Sequence, residues 1–342
     1  MSKGILITNI PVRNPAATGQ HRSIAAGDIF TRLNMRLAFL AGFVFCYTTS
    51  MATQRNLIVT HHAPDLDAIT SVWLLKKWAG QDYADAQVAF VNPGATISDL
   101  ELEALGFTPA KITHVDTGLG EFDHHQAEKV GLEYCASSLV HDYLCQLHPE
   151  LKNDLALQEI VKFVLQIDHF REIDWPNPSD LKYEFMIHEI IAGLEAEQLH
   201  DDDSQLHFGM TCLDGIYHAL KNRLEAEQKI KEKGIFFKIK AGRAMAIATG
   251  NDDTLKLAQL TGCVLAIKKD SHSGNIRIKA RPDADLDLKA LHEAILERDQ
   301  VGDWFYHNSG KMLLNGSRKK AHTSASPLAL KELISLVKKI YG

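Results

Sequence analysis

Hydrophobic and polar positions follow two rhythms along the chain. Asn56–Thr60 (NLIVT) is a short apolar run of the kind that forms a buried strand. Immediately after it, apolar residues at 68, 69, 72, 75 and 78 fall at helical spacing, so Ala68–Trp78 reads as a helix. Gln87–Val91 predicts a second strand, Ile97–Leu105 a helix and Lys111–Val115 a third strand. Strands alternating with helices imply βαβ units and a largely parallel sheet. Helices are then expected over Ala136–Leu147, Asp154–Gln166 and Tyr183–Glu197, followed by a long polar-faced connector helix, Cys212–Glu232. Past Gly234 the period changes. Ile235–Lys240 and Ala244–Thr249 read as strands, Thr254–Leu260 as a helix, Cys263–Lys268 and Asn275–Ala280 as strands, and Leu286–Glu297 and Lys331–Ile340 as helices. The expected class is α/β: a parallel-sheet N-terminal domain and a smaller α/β C-terminal domain.

Charge sharpens this division. The 342 residues carry a net charge of -6, which argues against a dedicated binder of duplex DNA, whose affinity comes from neutralising phosphates. From Gly234 onward there are 18 Lys+Arg against 11 Asp+Glu, while the rest holds 19 against 32. An acidic front part suits metal binding and a basic back part suits holding phosphate. Five scattered cysteines without a CxxC pair form neither a disulfide framework nor a zinc knuckle. They fit a reduced, cytoplasmic compartment. Residues 1–50 read as a leader or a mis-called extension. Leu37–Tyr47 is too short to span a bilayer and imitates a signal peptide when read from Met35, whereas the ordered pattern begins after Met51.

Two polar clusters stand where the predicted strands end, the place where α/β sheets collect ligands. His61-x-x-Pro64-Asp65-Leu66-Asp67 puts an imidazole and two carboxylates on one turn opening a helix, with Asp65 and Asp67 spaced to serve neighbouring ions. Asp116 ends the KITHV strand, and Asp123-His124-His125 follows a short loop. Carboxylates mixed with imidazoles suit two divalent ions, Mn²⁺ first, with Mg²⁺, Fe²⁺ or Co²⁺ possible. Each piece alone has a structural reading, since a DxD after a strand is usually a helix cap; their recurrence at successive strand ends favours the metal site. Asp201–Asp203 reads as a solvated loop, His188, His207 and His218 lack partners, and Trp73 and Trp78 read as core.

THHAPDLDA resembles the first motif of the DHH superfamily of phosphoesterases, and FDHHQ carries the triplet that names it. RecJ-type exonucleases, nanoRNases, cyclic-dinucleotide phosphodiesterases, exopolyphosphatases and manganese pyrophosphatases belong to that superfamily. The resemblance implies that His61 and Asp65 hold one ion, Asp67 and His124 the other, and Asp116 bridges them. It further implies that His125 touches the substrate phosphate, that Asp123 orients the histidines, and that a later aspartate completes the second ion: Asp168, or failing that Asp174. GNIRIKAR, with Arg277 and Arg281, is similar to the arginine-bearing strand of the DHH-associated substrate domain. Trp304–Gly316 takes the place of that domain's glycine-rich loop, where His307, Ser309, Gly310 and Lys311 would grip phosphate. The loop lacks consecutive glycines, and Asp168 is followed by His169 instead of Thr-Gly. VDTGLGEFDHHQ, CASSLVHDYL and FYHNSGKMLLNG also resemble the melanocyte-proliferating-gene family of RNA exonucleases, though its His-Cys-Asp-Glu first motif is missing here.

The domains expected are 51–197 (catalytic, metal-binding), 198–233 (helical connector) and 234–342 (phosphate- and substrate-binding). The function implied is hydrolysis of phosphodiester bonds by a water activated between two metal ions. The substrate would be a short single-stranded oligonucleotide or a small phosphorylated molecule, with no membrane partner and a possible homodimer. The alternatives are an inorganic pyrophosphatase or polyphosphatase of the same superfamily, and a non-catalytic nucleotide-binding regulator.

Overall fold

A computed structural model describes residues 56–126, 133–197, 201–316 and 322–342. The leader or extension expected at 1–50 lies outside these residues. Strand β1 (Leu57–His61) is buried along both faces, as its unbroken apolar run requires. It lies between β2 (Gln87–Val91) and β3 (Ile112–His114), parallel to both, in the order β2-β1-β3. Val115 extends the third strand by donating its N–H to the Val59 carbonyl at 2.9 Å. His61 and Asp116 therefore emerge from the carboxyl ends of adjacent strands.

Helix α1 (Leu66–Trp78) begins at an Asp65 cap and buries Ile69, Val72, Trp73, Leu74 and Leu75. The short helices α2 (Gln81–Ala84) and α3 (Asp99–Leu105) lead into the neighbouring strands. Helices α4 (Ala136–Leu147) and α5 (Leu155–Asp168) pack with α1 in one core. The segment expected as one helix from Tyr183 is divided: a 3-10 turn at Leu181–Phe185 precedes helix α6 (Ile187–Glu197).

Helix α7 (Asp202–Lys233) starts ten residues earlier than its pattern suggested. Asp201, expected in a solvated loop with Asp202 and Asp203, instead caps the helix by accepting the Ser204 N–H, and the other two form its first turn. Its Leu206 and Leu213 join the first core. Tyr217 meets the edges of Trp73 and Trp78, at 6.1 and 5.6 Å between ring centres. Further along, Asn251 donates its amide to the Asn222 carbonyl and to Glu225. One helix thus packs against α1 in the first part of the chain and reaches the loop that holds Asn251 in the second.

The second sheet is mixed, in the order β4-β5-β6-β7-β9-β8. Strands β4 (Ile235–Ile239) and β5 (Gly242–Ala248) form a hairpin, and helix α8 (Asp253–Leu260) carries the chain to β6 (Leu265–Lys269), which runs parallel to β5. Strand β7 (Ile276–Ala280) is antiparallel to β6. Helix α9 (Lys289–Arg298) follows. The stretch expected as a phosphate-gripping loop is instead a hairpin, β8 (Trp304–Tyr306) and β9 (Met312–Asn315), with only residues 307–311 turning. Helix α10 (Leu330–Tyr341) closes the separate core of this sheet. The fold class is α/β. No helix among the described residues is long and apolar enough to cross a membrane.

A Cβ at Gly209 of α7 would come within 2.8 Å of the fully buried Ile69 side chain. Gly209→Leu should cost about 2 kcal/mol and lower Tm by about 5 °C; an unchanged melting curve would show that the α1–α7 packing has slack.

Candidate metal centre

Asp116 is the hub of the first cluster. Its backbone is left-handed, at φ 55°, and its N–H donates to the Phe122 carbonyl at 2.9 Å. Val115 and Phe122 form a β-bridge, so the short loop between them folds back and sets Asp123-His124-His125 beside Asp116. Asp116 Oδ2 lies 3.3 Å from His61 Nε2, and Oδ1 lies 3.5 Å from His124 Nε2. The two carboxylate oxygens face two different imidazoles. His61 is also 4.0 Å from Asp65, and His124 is 3.7 Å from Asp168 at the end of α5.

Three groups of potential ligand atoms follow, each compact enough for one cation: His61–Asp65–Asp116, Asp116–His124–His125 and His124–Asp168–His169. Asp116 Oδ1, His124 Nε2 and Asp168 Oδ2 are shielded from solvent and make no hydrogen bond. Buried polar atoms are seldom left this way. A divalent cation would satisfy them, and the donor set of carboxylates and imidazoles fits one. The residues present therefore fit the metal that the sequence implied.

Other predicted residues take different places. Asp67 is buried against the start of α4, where its carboxylate accepts the N–H groups of Ala136 and Ser137 at 2.6 and 2.9 Å, and it joins none of the three groups. Asp65 Oδ1 caps α1 by accepting from Asp67 and Ala68. Asp123 is fully buried and holds His125, accepting its Nδ1–H at 2.8 Å and its backbone N–H at 3.0 Å. Asp174 sits in a 3-10 turn outside the groups, whereas His169, which no motif singled out, lies inside one.

Sequence reasoning also missed Asp202. Its carboxylate accepts the His62 Nδ1–H at 2.6 Å and the Ala63 N–H at 2.7 Å. Ala63 is left-handed at φ 49°. The first turn of α7 therefore pins the strained turn that presents His61 and Asp65. No local sequence signal could reveal this, because the partners are about 140 residues apart.

The residues expected to grip phosphate are not gathered in one place. Arg277 lines a polar pocket of about 750 Å³ with Lys268, Lys229, Lys233 and Asp252, and it pairs with Asp252 at 2.8 Å. Arg281 pairs with Asp283 through two bonds of 2.6 Å. His307 and Ser309 bond each other at 2.8 Å. Lys311 donates to the carbonyls of Ala284 and Leu286, and a Cβ at Gly310 would strike Asp287.

Electrostatics couple the cluster. Burial opposes the charge of His61, but Asp116, the His62 carbonyl and Asp65 hold its pKa up at about 9. Contact with Asp116, against burial and with help from Asp168 and Asp67, brings His124 to about 9. Burial would raise the Asp116 pKa, but His124 and His61 outweigh it and hold this carboxyl well below the usual range. Burial, then Asp116, Asp168 and Asp65, push Asp67 up to about 8. Burial, with Asp116 and Asp65 working against His124, pushes Asp168 up to about 6.

Two outcomes follow. A carboxyl with a raised pKa binds its proton more tightly when folded, so Asp168 and Asp67 make the metal-free fold lose stability as pH climbs toward 6 and 8. The stabilisation from His61 and His124 is fully present below about 6.5 and is lost as pH rises through about 9. Asp116 acts in the opposite sense, losing its contribution only as pH falls below the ordinary carboxyl range. The melting temperature without metal should therefore drop between pH 6 and pH 9, and Mn²⁺ should raise it most at the alkaline end. A flat profile, untouched by Mn²⁺, would refute the metal centre. In addition, Asp202→Ala should weaken Mn²⁺ binding about tenfold by calorimetry, the effect of losing a group that orients ligands.

No family model matches the sequence, and neither does any curated protein. Among solved structures, a DHH-domain protein described as a member of the s1p family of ribosomal proteins is 13% identical, with 92% of each chain covered and a TM-score of 0.29. An uncharacterized protein from Helicobacter pylori is 14% identical over 84% of this chain and 99% of its own, at a TM-score of 0.25. RecJ in complex with Mn²⁺ from Thermus thermophilus is 13% identical over 84% of this chain and 52% of that one, at a TM-score of 0.29.

Proposed function

We propose that the protein is a metal-dependent phosphoesterase of the DHH type, cleaving phosphodiester bonds. One observation carries the reading: the two oxygens of buried Asp116 face His61 and His124 separately, the arrangement expected of a carboxylate shared between two cations. His61 and Asp65 would hold one ion; His124 and Asp168 would hold the other. Divalent ions bound there supply Lewis-acid stabilisation of phosphate charge and acidify a water.

The chain's own residues do the rest. Asp123 accepts the Nδ1–H of His125, which fixes the ring and leaves Nε2 to meet the substrate. His125 would contact a phosphate oxygen of the substrate from that side of the ring. Asp202 keeps His61 and Asp65 in register, and Asp67 anchors the same turn to α4. We read Mn²⁺ as the preferred ion and residues 234–342 as an accessory substrate domain joined through α7. The substrate class that fits is a short oligonucleotide or another phosphodiester.

The test is a Mn²⁺-dependent hydrolysis screen over di- to pentanucleotides, cyclic dinucleotides and pyrophosphate. Asp116→Asn should lose about 10²–10³-fold in kcat while its circular dichroism stays unchanged. Full activity in that variant would remove the bridging role; no hydrolysis of any substrate by the unaltered protein would favour a binding regulator.

A further inference from the structure

The second cation lacks one of the ligands that the sequence resemblance implied. Asp67 was expected to share that ion with His124, yet its two oxygens accept the Ala136 and Ser137 N–H groups. What remains is Asp116 Oδ1, His124 and Asp168. Another donor stands beside this set. His169 Nε2 lies 3.7 Å from Asp168 Oδ2, an oxygen shielded from solvent that makes no hydrogen bond. Ligand atoms of His124, Asp168 and His169 all fall within 4.8 Å of one another, close enough to hold one ion.

The end of a helix produces this convergence. Helix α5 stops at Asp168, and His169 caps it, donating its N–H to the Leu165 carbonyl at 3.2 Å. Phe170 then turns left-handed at φ 52°, a common way to end a helix. The ring of His169 is held on this side by its Nε2–H, which donates to the Tyr134 carbonyl at 2.9 Å. A carbonyl only accepts, so the proton of the neutral ring sits on Nε2. In sequence this position departs from the DHH pattern, where Thr-Gly follows the aspartate. An imidazole here changes what the site prefers: carboxylates and waters suit Mg²⁺, whereas added imidazoles favour first-row transition ions.

We propose that His169 is a further ligand of the second cation, standing in for Asp67, and that it turns this site from Mg²⁺ toward transition-metal ions. On binding, the ring keeps its single proton but moves it from Nε2 to Nδ1, and the Tyr134 carbonyl loses its donor. This rests on the metal centre of the proposed function and is independent of the substrate.

The experiment adds Co²⁺, Mn²⁺ or Mg²⁺ alone to the full chain. With Co²⁺ bound, NMR should show strongly shifted, exchangeable imidazole N–H signals, and His169→Gln should remove one of them. Glutamine keeps an N–H for the Tyr134 carbonyl but has no imidazole nitrogen, so a purely structural role for His169 would leave those signals intact. By calorimetry the same variant should weaken one Co²⁺ or Mn²⁺ site by about tenfold or more, since even groups that only orient ligands have effects of that size. Mg²⁺ binding should change far less. His169→Thr, which restores the residue of the DHH pattern, should behave alike. Should neither variant fold, ¹⁵N-histidine spectra of the unaltered protein decide the matter: the ring bonded to Tyr134 should lose its Nε2–H when Zn²⁺ is added. Full affinity and an unchanged cobalt spectrum in both variants, or an Nε2–H that survives metal binding, overturns the ligand. Binding that depends on His169 without hydrolysis of any phosphoester overturns the proposed function and leaves the ligand standing. No binding of any ion overturns both.

Discussion

The arrangement hangs on one buried carboxylate. Asp116 occupies a left-handed backbone conformation that costs a residue with a side chain roughly 1–3 kcal/mol. Its N–H bond to Phe122 and its place between two imidazoles offset that cost. The parallel register of β1 and β3 sets His61 and Asp116 at neighbouring strand ends, and the fold-back at Phe122 brings His124 to the other side. Moving any of these elements would separate the two histidines from the carboxylate they share.

Around this hub the protein keeps more negative charge than it can comfortably hold without help. Asp67, Asp116 and Asp168 are buried or nearly so; Asp116 raises the proton affinity of both others, and Asp168 adds to that of Asp67. Two imidazoles answer part of that charge. The N-terminus of α4 answers more, since the Ala136 and Ser137 N–H groups, aligned with the helix dipole, point at Asp67. What remains is a set of shielded ligand atoms with no hydrogen bond. Protons fill such a deficit at low pH, and divalent cations fill it better near neutrality. Stability and metal chemistry are therefore one electrostatic problem at this site.

Much of this was legible in the residue pattern, and the parts that were not share a cause. The strands and helices of the first sheet follow apolar periodicity, and the clusters announce themselves because polar residues interrupt that pattern at strand ends. Asp202 gave no signal, since its value comes from reaching back to His62 and Ala63 across the fold. Asp67 reads as a ligand by spacing, yet its nearest donors arrive from a helix about 70 residues later. The hairpin of β8 and β9 was hidden by its size: strands of three and four residues around a polar turn carry too little alternation to separate from a loop. Trp73 and Trp78, by contrast, followed their helical spacing, and they pack edge to face at 5.0 Å.

The basic C-terminal part illustrates how a charge count differs from available charge. Arg277 is held by Asp252 and Arg281 by Asp283. Lys268 is buried between Asp252 and Asp270. Lys311 serves two carbonyls, and His307 and Ser309 satisfy each other. A phosphate reaching these groups would have to displace a carboxylate or a carbonyl already in place, which costs much of what the new contact returns. The surplus of positive charge from Gly234 onward would therefore act on the proposed phosphoester substrate mainly at long range.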